Sequence, residues 1–214
     1  EVLVISPWNY PLQLALRPAI NAIAAGNTCV IKPSEYAPAT GEFLKKSIHS
    51  HFSEGEMKVC TGDAAVAQKL IARGFDLIIF TGSATVGKLV YKQAAEKLTP
   101  VIMELGGKNA CILDETAFTE AHIREIVWGK FLNAGQTCVA PDTLYVPQAI
   151  HHEAVEMVKK ILIDFYVEAP EKSADFGRMV HEKHFHRVEK FLYQGKLAHG
   201  GKTDASQQYI SPTV

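Results

Sequence analysis

Short, continuous runs of apolar residues separated by amphipathic stretches constrain this chain more than any other feature. Val2–Ser6, Cys29–Ile31, Lys58–Cys60, Asp76–Phe80 and Val101–Glu104 each read as a strand rich in β-branched or other apolar residues. Between them, Leu12–Ala25, Thr40–Phe52, Ala64–Ala72 and Ala84–Ala95 read as helices. The first has apolar side chains at Leu12, Leu16, Ala19, Ile20 and Ile23, the helical spacing, and ends on Gly26-Asn27, residues that tolerate a left-handed cap. Strands that do not alternate polar and apolar residues are buried on both faces. With helices between them, they predict an α/β fold, a doubly wound parallel sheet.

Beyond Gly106-Gly107 the rhythm loosens. Strands are expected at Ala110–Leu113 and Thr143–Val146, and helices at Ala121–Ala134, Ile150–Phe165 and His181–Tyr193. Glu168–Ser173 and Leu197–Ser206 read as polar loops. The expected organisation is therefore a Rossmann-like cofactor half over 1–106 and part of an α/β catalytic domain over 107–214.

Bulk properties narrow the function. With 47% hydrophobic and 21% charged residues the chain is an ordinary globular one, and general disorder is excluded. A net charge of −1 argues against nucleic acid or an anionic membrane surface as partner. No apolar run reaches the roughly 18 residues of a membrane helix. The start lacks the pattern of a secretory signal. Both ends read as cut, which marks the chain as a segment of something longer.

The four cysteines are widely spaced, without a C-x-x-C pair. Cys29, Cys60 and Cys111 fall in or beside apolar runs and read as buried reduced thiols, which favours a reducing compartment, the cytoplasm. Cys138 differs. It lies in Gly135-Gln136-Thr137-Cys138-Val139-Ala140-Pro141, between a glycine and a proline after a helix-like stretch. It reads either as a small buried hydrophobe or as a thiol presented in an exposed bend, where it and its own N–H can reach a carbonyl group.

Three further segments carry chemistry. In Ser6-Pro7-Trp8-Asn9, Asn9 is a turn residue after proline or a neutral oxyanion donor. In Met103-Glu104-Leu105-Gly106-Gly107-Lys108, Glu104 is a partner for Lys108 or a general base whose pKa partial burial would raise, beside glycines that let backbone approach a ligand. Thr81-Gly82-Ser83-Ala84-Thr85-Val86-Gly87 joins a strand to a helix and could present helix N–H groups to a pyrophosphate, although it lacks the G-x-G-x-x-G spacing. After the second strand, Lys32 and Glu35 read either as surface charges or as ribose contacts. The late histidines, with His181 and His184 three apart, complete no metal-ligand cluster, and no histidine near Cys138 supports a Cys-His hydrolase.

Taken in order, these motifs resemble the aldehyde dehydrogenase superfamily over the whole chain. Ala140-Pro141-Asp142 and Phe176-Gly177-Arg178-Met179-Val180 are most similar to its class 3 and fatty aldehyde branch. The resemblance implies Cys138 as nucleophile, Asn9 as oxyanion donor and Glu104 as the base for hydrolysis of a thioester. It implies Lys32 and Glu35 at the adenosine ribose, Gly82, Ser83 and Gly87 at the pyrophosphate, and Trp8 lining the site. The implied cofactor is NAD or NADP, the substrate a small-molecule aldehyde, and the assembly a homodimer or homotetramer of the full-length protein. A glutamate at position 104 favours water over coenzyme A as acyl acceptor. Family members are longer, and a downstream Glu-Ile-Phe-Gly-Pro-like segment that binds the nicotinamide ribose falls outside this chain. The alternative expectation is therefore a truncated, non-catalytic binding module of the same fold.

Overall fold

The computed structural model describes all residues, Glu1–Val214. It is an α/β structure that separates at Gly106/Gly107 into two compact units, Glu1–Gly106 and Gly107–Val214. Each unit is described by itself.

In the first unit, strands and helices alternate as β1 (Val2–Ile5), α1 (Gln13–Ala24), β2 (Cys29–Lys32), α2 (Pro38–His51), β3 (Met57–Val59), α3 (Ala64–Arg73), β4 (Leu77–Gly82), α4 (Ala84–Ala95) and β5 (Val101–Leu105). The strands form one parallel sheet in the order β3-β2-β1-β4-β5. β1 lies at its centre, with Val4 opposite both Ile31 and Ile79. Because side chains alternate across a strand, β1 serves two cores. Val2 and Val4 pack with Ala15, Ala19, Leu44 and Ile48 of α1 and α2. Leu3 and Ile5 pack with Ile71, Val90 and Ala94 of α3 and α4. Helices therefore cover both faces, and this is why the strand runs are continuously apolar.

Strand ends and helix caps follow local chemistry. Gly26, at φ +79°, takes the left-handed conformation that turns the chain from α1 into β2. Asp63 caps α3, its carboxylate accepting from the Ala65 and Val66 N–H groups at 3.0 and 3.4 Å. Gly87 is the point of closest approach between α4 and the sheet, since a Cβ there would meet Leu105 Cδ2 at 2.9 Å and Met103 Sδ at 3.5 Å.

The second unit opens with β6 (Asn109–Ile112), α5 (Glu120–Phe131), β7 (Pro141–Tyr145) and α6 (His151–Tyr166), followed by α7 (Glu182–Glu189) and the short strands β8 (Thr203–Asp204) and β9 (Tyr209–Ile210). β6 and β7 pair in parallel, and β8 and β9 antiparallel. Its core joins Ile123, Val127 and Phe131 of α5 to Val158, Ile161 and Leu162 of α6. An aromatic row extends it, with Tyr166 and Phe176 ring centroids 5.0 Å apart and Phe176 and Tyr209 6.1 Å apart.

Several expectations need correction here. The helix expected over Ala121–Ala134 stops at Phe131, because Asn133 and Ala134 both take left-handed backbone (φ +53°). Pairing of β8 with β9 gives structure to the end of the expected loop Leu197–Ser206. Cys60 and Cys111 are half-buried rather than buried, while Cys29 is fully enclosed.

Leu3 is completely buried at the centre of the sheet. Leu3→Ala is expected to lower the stability of the first unit by about 2–5 kcal/mol. Urea unfolding followed by circular dichroism measures it, as a lowered midpoint at unchanged slope.

Candidate active site

The order β3-β2-β1-β4-β5 reverses direction between β1 and β4, and in sheets of this kind the crevice at the carboxyl ends of those strands is the ligand position. The expected residues of the first unit follow those ends. Ser6, Trp8 and Asn9 come after β1, Lys32 and Glu35 close and follow β2, Gly82 ends β4, Ser83 precedes α4, and Glu104 lies on β5.

Lys32 is almost wholly buried and donates to Glu35 Oε2 at 2.8 Å, so it is no surface lysine. Glu35 is itself partly exposed, so one face of the pair remains open. An ammonium group taken out of water needs such a partner, and the pair presents a donor and an acceptor side by side. Ser83 caps α4. Its hydroxyl accepts from the Val86 N–H at 3.2 Å, and its carbonyl from the Gly87 N–H at 2.8 Å. This leaves the positive end of the helix dipole at the crevice.

Ser6 was not anticipated as a site residue, although it opens the Ser-Pro-Trp-Asn run. It is 4% exposed, and its hydroxyl has no hydrogen-bond partner in the protein. Buried hydroxyls are normally satisfied, so this one at the mouth of the switch point has hydrogen-bonding capacity to offer a water or a polar ligand atom. This buried hydroxyl, the Lys32–Glu35 pair and the α4 N-terminus are the groups of this unit that could hold a dinucleotide.

Glu104 corrects an expectation. It is exposed rather than partly buried, because α4 covers the Val101 and Met103 face of β5 and leaves the Ile102 and Glu104 face open. Thr81 of β4 is its neighbour in register. The alternative partner, Lys108, is engaged instead with Asp142 at 2.8 Å.

In the second unit, Cys138 is a half-buried free thiol in a turn. The Ala140 N–H donates to the Thr137 carbonyl at 3.2 Å and closes that turn. Two side-chain amides support it, and neither was singled out from the sequence. Asn109 Nδ2 donates to the carbonyls of Cys138 and Ala140 at 2.8 and 3.1 Å. Gln136 Nε2 donates to the carbonyls of Asn133 and Arg178, both at 3.0 Å, and its Oε1 accepts from the Val180 N–H at 3.1 Å. The signal for Gln136 lay in its place beside the cysteine. Asn109, distant in sequence, gave none.

The remaining polar clusters are built differently. The His181 and His184 rings touch in a tilted arrangement, with centroids 4.5 Å apart. Burial and the Arg187 guanidinium hold His184 below the ordinary histidine range. No group of three or more metal-ligating side chains is present. A cavity of about 310 Å³ lined by Leu162, Val167, His199, Lys202 and Tyr209 borders none of the expected catalytic residues. No helix is long and apolar enough to cross a membrane.

Residues 1–214 match the family model described as the aldehyde dehydrogenase family. The chain belongs to the aldehyde dehydrogenase family. It is 57% identical over 214 residues to the 4,4'-diapolycopene-4,4'-dial dehydrogenase of Cytobacillus firmus, covering 100% of this chain and 47% of that relative. Its identity to the dimeric NADP-preferring aldehyde dehydrogenase of Rattus norvegicus is 43% over 213 residues, again 100% of this chain and 47% of the relative. Among solved structures, the substrate-bound Staphylococcus aureus AldH superposes with a TM-score of 0.92 at 43% identity, covering 99% of this chain and 47% of that one. The chain thus spans about half the length of the relatives that it matches.

The thiols of this aldehyde dehydrogenase chain differ in environment. Burial pushes Cys29 up to about 12, with Glu1 adding to the effect. A thiol of this kind has almost no thiolate at neutral pH. At pH 8 iodoacetamide is expected to modify native Cys29 at least about a hundredfold more slowly than unfolded Cys29, as read by mass spectrometry of peptides from both states.

Proposed function

We propose that this chain carries the nucleotide-binding and thiol-bearing parts of an NAD- or NADP-dependent enzyme that oxidises an aldehyde to a carboxylic acid. The observation that carries the reading is Cys138 in a turn held from two sides by side-chain amides, within a chain of this family. Residues 1–106 are proposed as the cofactor domain and 107–214 as the thiol domain. Lys32 and Glu35 would take the ribose hydroxyls. Gly82 and Ser83 would meet the pyrophosphate, and Trp8 would line the site. Gly87 contributes by letting α4 pack closely on the sheet. The family relation and the name of the rat relative support NAD or NADP.

The chemistry follows from the residue types. The Cys138 thiolate adds to the aldehyde carbon, and the carbonyl oxygen becomes an oxyanion. The Asn9 side-chain amide and the Cys138 N–H are the proposed donors to that oxyanion, each worth about a hundred- to a thousandfold in rate. A bound nicotinamide dinucleotide would supply the acceptor for the hydride that the aldehyde carbon must lose. A thioester on Cys138 then remains. Glu104 is proposed to take a proton from water as the water attacks the acyl carbon, and Cys138 leaves as thiolate. Exposure of Glu104 suits a group that must reach solvent and swing toward the thioester.

The four free cysteines suit a reducing compartment such as the cytoplasm, and a homodimer or homotetramer is the proposed assembly of the full-length protein. The test follows absorbance at 340 nm with a medium-chain aldehyde and either cofactor, using the full-length protein. Cys138→Ala is expected to abolish the signal, and unchanged turnover in that variant would remove the thiol from the mechanism. Glu104→Gln is expected to retain a pre-steady-state burst of reduced cofactor while steady-state turnover falls about a hundred- to ten-thousandfold. A variant with unchanged steady-state turnover would show that Glu104 is not the base.

A further inference from the structure

Segment 107–109 is fastened to the segment that carries Cys138 in a way that ordinary strand pairing does not require. β6 and β7 begin out of step. Asn109 lies opposite Pro141 and Ala110 opposite Thr143, so Asp142 is an extra residue in β7. A bulge of this kind re-aims the side chains around it. Pro141 has no N–H to offer the ladder. At this point side chains take over the pairing. Lys108 Nζ holds Asp142 Oδ2 at 2.8 Å, and Asn109 spends both protons of its amide on the carbonyls of Cys138 and Ala140.

Gly107 makes room for that arrangement, since a Cβ there would lie 3.1 Å from Asn109 Oδ1 and 3.4 Å from Nδ2. The Thr137 carbonyl is already taken by the Ala140 N–H. Three carbonyls of the four-residue turn 137–140 are thereby committed, two of them to one side chain.

We infer that Asn109 is a positioning residue for the reaction: its amide, by holding the Cys138 and Ala140 carbonyls, fixes the turn and with it the direction of the Cys138 thiol and N–H. The inference rests on Cys138 being the nucleophile. Without the amide the Cys138 and Ala140 carbonyls lose their common anchor while the Gln136 amide still holds the start of the turn, and the thiol samples orientations that miss the aldehyde carbon. A displacement of about 1 Å in a reacting group costs on the order of a hundredfold in rate. Binding of the dinucleotide, assigned here to residues 1–106, should be untouched.

The experiment uses the full-length protein and three variants. Asn109→Leu keeps the size of the side chain and removes both donors, Asn109→Ser removes their reach, and Cys138→Ala removes the thiol. Each is checked for folding by thermal unfolding, and turnover is expressed per folded molecule. The expected result is a kcat lowered about 10- to 100-fold in the Asn109 variants, with KM for the dinucleotide within about twofold of the parent. Where Asn109→Leu does not fold, Asn109→Ser decides. A kcat within twofold of the parent overturns the positioning role while leaving Cys138 as nucleophile. An equal loss of dinucleotide affinity also overturns it, because the damage is then general. Full activity in Cys138→Ala removes the nucleophile itself, and the inference about Asn109 falls with it.

Discussion

Burial of β1 on both faces is the constraint from which the first unit follows. A four-residue strand with every side chain enclosed must have a neighbour on each edge and a helix layer above and below. Parallel neighbours demand crossover helices, so each strand ends on the same side of the sheet and each following loop begins there. That geometry gathers Ser6, Lys32, Gly82 and Ser83 along one edge although they are scattered through the first 83 residues. Chemistry at the edge is therefore a by-product of hydrophobic burial in the centre. The buried Ser6 hydroxyl and the buried Lys32 ammonium are the places where the sheet departs from apolar packing, and both lie at the carboxyl ends.

The second unit solves a different problem. It has only two small two-stranded sheets beside its helices, so helix packing and an aromatic row supply the core. A thiol displayed on such a scaffold cannot rely on a deep sheet to hold its loop. Side-chain amides do this instead. Asn109 and Gln136 use donors and acceptors that are neutral at every pH, so they hold backbone carbonyls without altering the charge around Cys138. A lysine at either place would bias the thiol electrostatically, whereas an amide only orients it.

The fold was legible in the sequence where one physical period dominated. Val2–Ile5, Cys29–Ile31 and Leu77–Phe80 are pure apolar runs, and the elements there differ from expectation by a residue or two at their ends. Legibility failed where tertiary contacts outweighed local propensity. Leu132-Asn133-Ala134 continues a helical pattern, yet the helix ends at Phe131. Exposure of Glu104 was illegible because a strand sequence does not say which of its faces a helix will cover. Asn109 escaped notice because a single polar residue at a strand start looks like any other. Its importance lies in carbonyls about thirty residues away. Lys32 and Glu35 were each noticed after the second strand, but their ion pair and the burial of Lys32 come only from the packing of that strand end.

Left-handed Asn133 and Ala134 at the end of α5 carry one more consequence. Asparagine adopts that conformation readily, but for alanine it is unfavourable by about 1–2 kcal/mol. Glycine would adopt it without strain, and it would also leave the stretch before Gln136 free to wander. Alanine accepts the strain and has far fewer alternative shapes available, with its methyl 3.6 Å from the position that a Gly177 Cβ would take. The approach to the thiol turn is thus stiffened by a residue with few other conformations to visit. Its order is set before any substrate arrives, because the conformational entropy of the segment was given up on folding and not on binding.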